Sequence, residues 1–310
     1  MKKLLFASTA LIASAGIAAA DVSVSGDARM GVIYNSAGGL GTDLQRNWAF
    51  TNRIRITFNA SGETSTGLTF GGSVRARHAA AAEIAGNQGE VFVDGAFGKL
   101  SMGDVDSGDK AVTQDLHNVG LTLLRPGLNY AADGDFGLAT LVNAPARVLY
   151  EYDMDGFSFA ASHSQTGNVR SMGVGAGYSM AGFEVGLGFG EARNSNANAR
   201  TRDITATAGY SMGDFGVRAV AQRETSTLAG NQTDRTNTLG LSGSASFDMV
   251  EVTAYAVQMQ SSAAGTARSM GLGGEYDLGG GASLKGGIAR NRAPGGATNT
   301  VADFGVNLSF

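Results

Sequence analysis

Asn47-Trp-Ala-Phe-Thr-Asn-Arg-Ile-Arg-Ile-Thr-Phe-Asn-Ala-Ser61 is the stretch that decides the fold. Its even positions include Trp48, Phe50, Ile54, Ile56, Phe58 and Ala60, whereas Asn47, Ala49, Thr51, Arg53, Arg55, Thr57, Asn59 and Ser61 occupy the odd ones. Successive side chains of a strand point to opposite faces, so this segment has one apolar face and one wet face. The end of the chain repeats it, with Ala302, Phe304, Val306, Leu308 and Phe310 alternating with Asp303, Gly305, Asn307 and Ser309. Similar alternation at roughly 22–34, 66–77, 89–95, 98–104, 147–154, 156–165, 169–180, 182–191, 202–212, 214–223, 236–247, 249–259, 267–277 and 281–291 brings the total to sixteen. The segment 249–259 is ambiguous in phase.

Connections between these segments alternate in length. Short ones such as Asp155-Gly156, Ala181-Gly182 and Gly213-Asp214 carry residues that tight hairpins favour for positive φ. Longer ones are expected at roughly 35–46, 78–88, 105–146, 166–168, 192–201, 224–235, 260–266 and 292–300. Short turns at one end and long loops at the other describe an outer-membrane barrel. An even strand count puts both chain ends on the short-turn side, where the first and last strands can pair and remove the sheet edge. Their terminal charges are expected to meet there. A soluble sandwich or a solenoid also alternates, but it needs bulky side chains on its buried face. Here the polar faces carry Gly, Ser, Thr and Arg, which suit a hydrated lumen. The expected fold is therefore all-β, a 16-stranded antiparallel transmembrane β-barrel with an aqueous interior.

Composition removes most other classes. The 310 residues hold 47 Gly, 3 Pro and no Cys, and only 16% are charged. Without Cys there is no disulfide framework, thiol catalysis or zinc-thiolate site. A net charge of −4 gives no reason to expect nucleic acid as a partner. Met1-Lys2-Lys3, the apolar run Leu4–Ile17 and Ala18-Ala19-Ala20 read as a signal peptide, residues 1–20, cleaved before Asp21. The remaining 21–310 carries a net charge of −6 and no apolar stretch long enough for a membrane helix. If it spans a membrane, it does so as a closed barrel.

Four segments carry a family resemblance. They are Asp21-Val-Ser-Val-Ser-Gly-Asp-Ala-Arg-Met-Gly31, Gly95-Ala-Phe-Gly-Lys-Leu-Ser-Met-Gly-Asp104, Tyr276-Asp-Leu-Gly-Gly-Gly-Ala-Ser-Leu-Lys-Gly-Gly-Ile-Ala289 and Val301–Phe310 with its terminal Phe. They resemble the Rhodobacter-type general porins of alphaproteobacteria, and the likeness runs over the whole chain from Asp21. It implies a homotrimer in the outer-membrane lipid whose monomers each pass small hydrophilic solutes and ions by diffusion. It also implies that the third long loop, about 105–146, folds inward and narrows the barrel. Small apolar residues on the outward faces of the first three strands and the last, including Val22, Val24, Ala28, Val74 and Ala302, suit close approach of such barrels.

The wet phase of the first three strands holds Arg29, Arg53, Arg55, Arg75 and Arg77, together with Asp27. Five inward arginines on adjacent strands form a basic wall. One reading is simple solvation; the other is half of a transverse field across a constriction, as the resemblance implies. The opposing carboxylates would be Asp104, Asp106, Asp109, Asp115, Asp133 and Asp135 of the loop, which also contains the apolar run Val119–Leu124. Asp104, Asp106 and Asp109 surround a Gly in a spacing that could wrap calcium, which the resemblance also suggests, although no Glu closes the site. No other cofactor is expected. An adhesin or hydrolase barrel is the alternative, but His78, His117 and His163 are scattered and show no catalytic triad. Gly173–Gly177 and Gly186–Gly190 mimic nucleotide loops, yet no helix follows either, so they read as slim strand residues.

Overall fold

The computed structural model of the chain describes residues 21–38, 47–79, 84–86, 89–126, 146–228, 233–296 and 298–310. The expected signal segment lies outside them. The first strands are β1 (Asp21–Asn35), β2 (Trp48–Glu63), β3 (Thr69–Ala79), β4 (Ile84–Gly86), β5 (Glu90–Gly95) and β6 (Gly98–Gly103). A short helix, α1 (Gly108–Val112), precedes β7 (Arg147–Met154), β8 (Phe157–Thr166), β9 (Val169–Met180), β10 (Phe183–Asn194) and β11 (Ala199–Met212). The chain finishes with β12 (Phe215–Thr227), β13 (Thr233–Phe247), β14 (Val250–Ser261), β15 (Gly265–Gly279), β16 (Ala282–Arg292) and β17 (Thr298–Ser309).

Every pairing is antiparallel, and β1 pairs with both β2 and β17, so the sheet closes on itself. The β4 and β5 segments both lie against β3, at Ala76–His78 and Thr69–Ser73, and make one interrupted stave. The barrel therefore has sixteen staves, as the alternation predicts. Two of its tight turns, Asp155-Gly156 and Ala181-Gly182, have positive φ at both residues, which is the hairpin geometry that matches the strand twist.

Alternation resolves into lipid-facing and lumen-facing phases. Phe50 is 88% exposed, and Trp48, Leu187, Leu239 and Leu241 are each about 60% exposed, all on the outer face. Apolar surface displayed around a whole sheet has no place in water. At the short-turn end it includes aromatic pairs, Phe157–Tyr178 with ring centroids 4.5 Å apart and Phe183–Tyr210 at 4.2 Å. They form one interfacial girdle of a membrane barrel.

Two expectations need correction. Connections expected to be long at 166–168, 192–201, 224–235, 260–266 and 292–300 are short, because the flanking strands run on to Thr166, Asn194, Thr227, Ser261 and Arg292. The backbone ladder continues there although the outward positions change from apolar to polar, arginine on β9 to β12 and glutamine on β14, so the hydropathy signal stops before the strand does. The chain ends also pair with a stagger. Phe310 exchanges backbone hydrogen bonds with Gly26, while Asp21 lies beyond it, opposite Ser61 of β2. The terminal groups do not meet, because closing a tilted barrel displaces register between first and last strands.

Candidate functional site

The chain between β6 and β7 enters the barrel, and glycines on the wall make room for it. Added Cβ atoms at Gly173 and Gly175 of β9, or at Gly188 of β10, would run into Asp109 and Val112 of α1 or into the Gly108 carbonyl. The Gly108 N–H donates to Ser162 Oγ at 2.8 Å. These are the glycine runs that resemble nucleotide loops; their lack of side chains seats a helix instead. Beyond α1 the chain travels round the inner wall. Gln114 bonds Thr207 of β11 through its N–H at 3.3 Å, and Arg218 of β12 donates to the Asp115 carbonyl at 3.2 Å.

The apolar run then docks on an apolar patch of the lumen. Leu116 and Val119 are buried against Val220, Tyr255, Val257 and Ala289 on β12, β14 and β16. These inward Tyr255 and Val257 side chains explain the ambiguous phase of 249–259: β14 is apolar on both faces where the loop lies. Gly120 passes over Gly273 and Gly287 with φ of +80°, a conformation that leaves its backbone pressed on the wall. Asp303 of β17 then holds the turn, accepting from Leu121 N–H at 2.9 Å and from Thr122 N–H and Oγ1 at 2.6 Å each. Leu121 itself lies over Gly31 and Gly305, and its carbonyl accepts from Arg29 at 2.9 Å. Asp303 falls on the polar phase of the last strand, but nothing in its spacing marks it as the loop's anchor.

The loop thus meets the basic wall at Arg29. Next to it, Arg53 and Arg55 converge on Asp27 of β1, at 2.8 and 2.6 Å. Directly opposed cross-strand pairs place them so: Asp27 faces Arg55, and Arg29 faces Arg53. Arg75 stands opposite Thr57, and the backbone of Arg77 opposite Arg55. The loop carboxylates disperse. Asp106 pairs with Lys110 at 2.7 Å, Asp115 takes Arg125 on two bonds of 2.7 Å, and Asp109 of α1 is buried against Gly173 and Gly188 of the wall. Asp104 sits at the loop's root, where its N–H donates to the Gly89 carbonyl. Asp133 and Asp135 lie outside the described residues. Among the described residues no group of three His, Cys, Asp or Glu side chains is placed to hold a metal ion.

His117 is a docking residue. Its N–H donates to Ser242 Oγ at 2.9 Å, and its ring nitrogens lie 2.9 Å from Ser242 Oγ and 3.2 Å from Ser244 Oγ. Burial pushes the imidazole below its ordinary value, and the guanidinium groups of Arg218 and Arg125 push the same way. In a released loop the imidazole would titrate near its usual value of about 6.5. The released state then binds more protons, so docking is fully favoured above that pH and weakens as pH falls below it. Single-channel current should therefore become noisier on acidification from neutral pH, and His117→Gln should abolish that change. Asp303→Ala removes an acceptor of three hydrogen bonds and should weaken docking by about 2 kcal/mol, seen as faster proteolysis of the loop at neutral pH.

Comparison with known proteins agrees with this architecture. The family model described as Gram-negative porin matches residues 7–296. A porin of Rhodobacter capsulatus is 35% identical over 317 residues, which span 94% of this chain and 100% of the relative. A porin structure refined at 1.8 Å resolution is 31% identical with a TM-score of 0.79, covering 94% of this chain and all of that one. An anion-selective porin from Comamonas acidovorans shares the fold at 17% identity, with a TM-score of 0.73 and the same coverage. With a closed sixteen-stave wall and an apolar exterior, the chain belongs to the Gram-negative porins, general diffusion channels of the outer membrane.

Proposed function

We propose that the passage is narrowed between the inserted loop and the wall bearing Arg29, Arg53, Arg55, Arg75 and Arg77, and that this wall biases which solutes pass. The observation that carries the reading is the arrangement at the loop's end. Arg29 binds the Leu121 carbonyl, and Arg53 and Arg55 line the adjacent stave with one carboxylate, Asp27, between them. Guanidinium stays charged at any workable pH, so this wall keeps a positive excess. The loop carboxylates Asp106 and Asp115 already have cationic partners within the loop, which weakens the negative side of the field. Dipolar solutes would align as they pass, with their anionic groups toward the wall. Calcium has no part in this reading.

The protein works as a trimer in the same reading, after export directed by residues 1–20. Stave β6 has six residues, against the roughly 9–11 that a tilted strand needs to cross the hydrocarbon layer, and the stave next to it is interrupted between β4 and β5. A wall that low is better covered by a second protein than by lipid. Beyond β3, the outward faces of β1 and β2 are apolar, with Val22 71% and Phe50 88% exposed. Cross-linking in mild detergent should trap a trimer, and recovery of monomers alone would refute this assembly.

Arg53→Ala with Arg55→Ala is the test of the wall. The double change removes two positive charges and leaves Asp27 without the partners that now neutralise it. Reversal potential in a salt gradient should shift toward cations, and conductance should rise as two large side chains leave the lumen. An unchanged reversal potential would place those arginines away from the constriction.

A further inference from the structure

The two rims of the barrel are built differently. At the short-turn rim the outward columns end in aromatics. At the loop rim of β9 to β12 they end in arginine: on β11, Tyr210, Ala208, Ala206 and Ile204 are followed by Arg202 and Arg200. Arg170 on β9, Arg193 on β10 and Arg223 on β12 occupy the same outward phase. Register brings them together, since Arg193 stands directly opposite Arg170 on one side and Arg200 on the other. Like charges so opposed are only about 5 Å apart at Cβ and destabilise a sheet. One carboxylate, Glu191, serves Arg193, Arg200 and Arg202, and among the described residues no carboxylate pairs with Arg170. Glu191 is 8% exposed at its side chain, whereas the three guanidinium side chains remain 37–52% exposed. The cluster therefore holds an uncompensated positive charge at the level where the apolar band ends.

Directly below it the outer wall is furrowed. Ala206 faces Ala221 and Ala208 faces Ala219 across β11 and β12, which leaves a floor of small side chains. Leu187 borders this floor on β10, and Leu239 and Leu241 border it on β13. The alanines, with both β13 leucines, line a space of about 700 Å³. Arg223, which donates to Asn237 at 2.8 Å, stands at its head beside Arg202. A furrow fit for an acyl chain thus leads up to guanidinium groups fit for an anion.

We infer that this outward face of β10 to β13 binds a lipid with a phosphorylated headgroup from the leaflet at the loop rim. Its phosphate is held by Arg193, Arg200, Arg202 and Arg223, and one acyl chain lies over the alanine floor. Guanidinium matches phosphate in bidentate geometry, and its charge is the kind that anionic lipid surfaces attract. The furrow selects a lipid over free phosphate, because it adds apolar burial continuous with the charged site.

Native mass spectrometry of the protein in nonionic detergent tests this with bisphosphorylated lipid A, its dephosphorylated form and inorganic phosphate as probes. Bisphosphorylated lipid A should be retained, and the dephosphorylated form should bind about tenfold more weakly or worse. Arg202→Gln with Arg223→Gln leaves Glu191 paired with Arg193 and Arg200. It should lower retention of the phosphorylated lipid by a similar factor, while conductance stays unchanged because neither side chain faces the lumen. Ala206→Leu with Ala221→Leu fills the furrow without touching a charge and should also reduce retention. Equal binding of the phosphorylated and dephosphorylated forms would overturn the phosphate assignment. Undiminished retention by both variants would overturn the site, and inorganic phosphate held as firmly as the lipid would overturn the lipid as its occupant.

Discussion

A strand in hydrocarbon has no water to satisfy its N–H and C=O groups, so every one must be bonded within the protein. Closure of β1 onto β17 meets that demand, and the rest of the architecture follows from it. Closure requires tilt and stagger, which is why Phe310 falls opposite Gly26 and the first residues of β1 extend along β2 alone. It also fixes which face each side chain takes. A one-residue slip anywhere would turn the apolar column of a stave into the lumen, so register is specified by the surrounding lipid.

A closed barrel of this size encloses more space than its own inward side chains fill. The chain between β6 and β7 occupies part of it, and the wall is adapted to that guest. Where α1 lies, β9 and β10 are stripped to glycine; where Leu116 and Val119 lie, β12, β14 and β16 present apolar groups inward. The loop's peptide groups are satisfied by wall side chains such as Ser162, Asp303 and Arg29. Backbone far from any strand can persist inside a membrane protein only on such terms.

Fold class was legible because period two is a direct consequence of strand geometry, and Trp48 to Ala60 displays it with only Ala49 and Asn52 out of phase. The arginines of β1 and β2 were legible for the same reason: phase alone places Arg29, Arg53 and Arg55 in the lumen. Their partners were not. Asp27 takes Arg53 and Arg55 through cross-strand register, which alternation within a strand does not reveal. Asp303 and the apolar lumen patch were hidden because long-range docking leaves no local period. Strand ends at the loop rim were missed for a different reason. There the outward face is arginine, so both phases are polar and the pattern vanishes while the ladder continues.

The same alternation therefore has two outward solutions at the rims of one molecule. At the short-turn rim, Phe157, Tyr178, Phe183 and Tyr210 place rings at the lipid boundary, where an amphipathic aromatic is at home. Along β1 and β2 the loop rim keeps this solution, with Tyr34 and Trp48 in contact at 4.7 Å. On β9 to β12 it is replaced by Arg170, Arg193, Arg202 and Arg223. Long guanidinium side chains on strands that outrun the apolar band can reach a charged layer while their stems cover apolar surface. The difference does not follow strand length, since β1 and β2 have 15 and 16 residues against 12 to 14 on β9 to β12. On β1 and β2 the loop rim is aromatic, and on β9 to β12 it is cationic and suited to a charged leaflet. Rim chemistry thus divides the barrel's circumference into two kinds of neighbour, without altering the polar phase that faces the water inside.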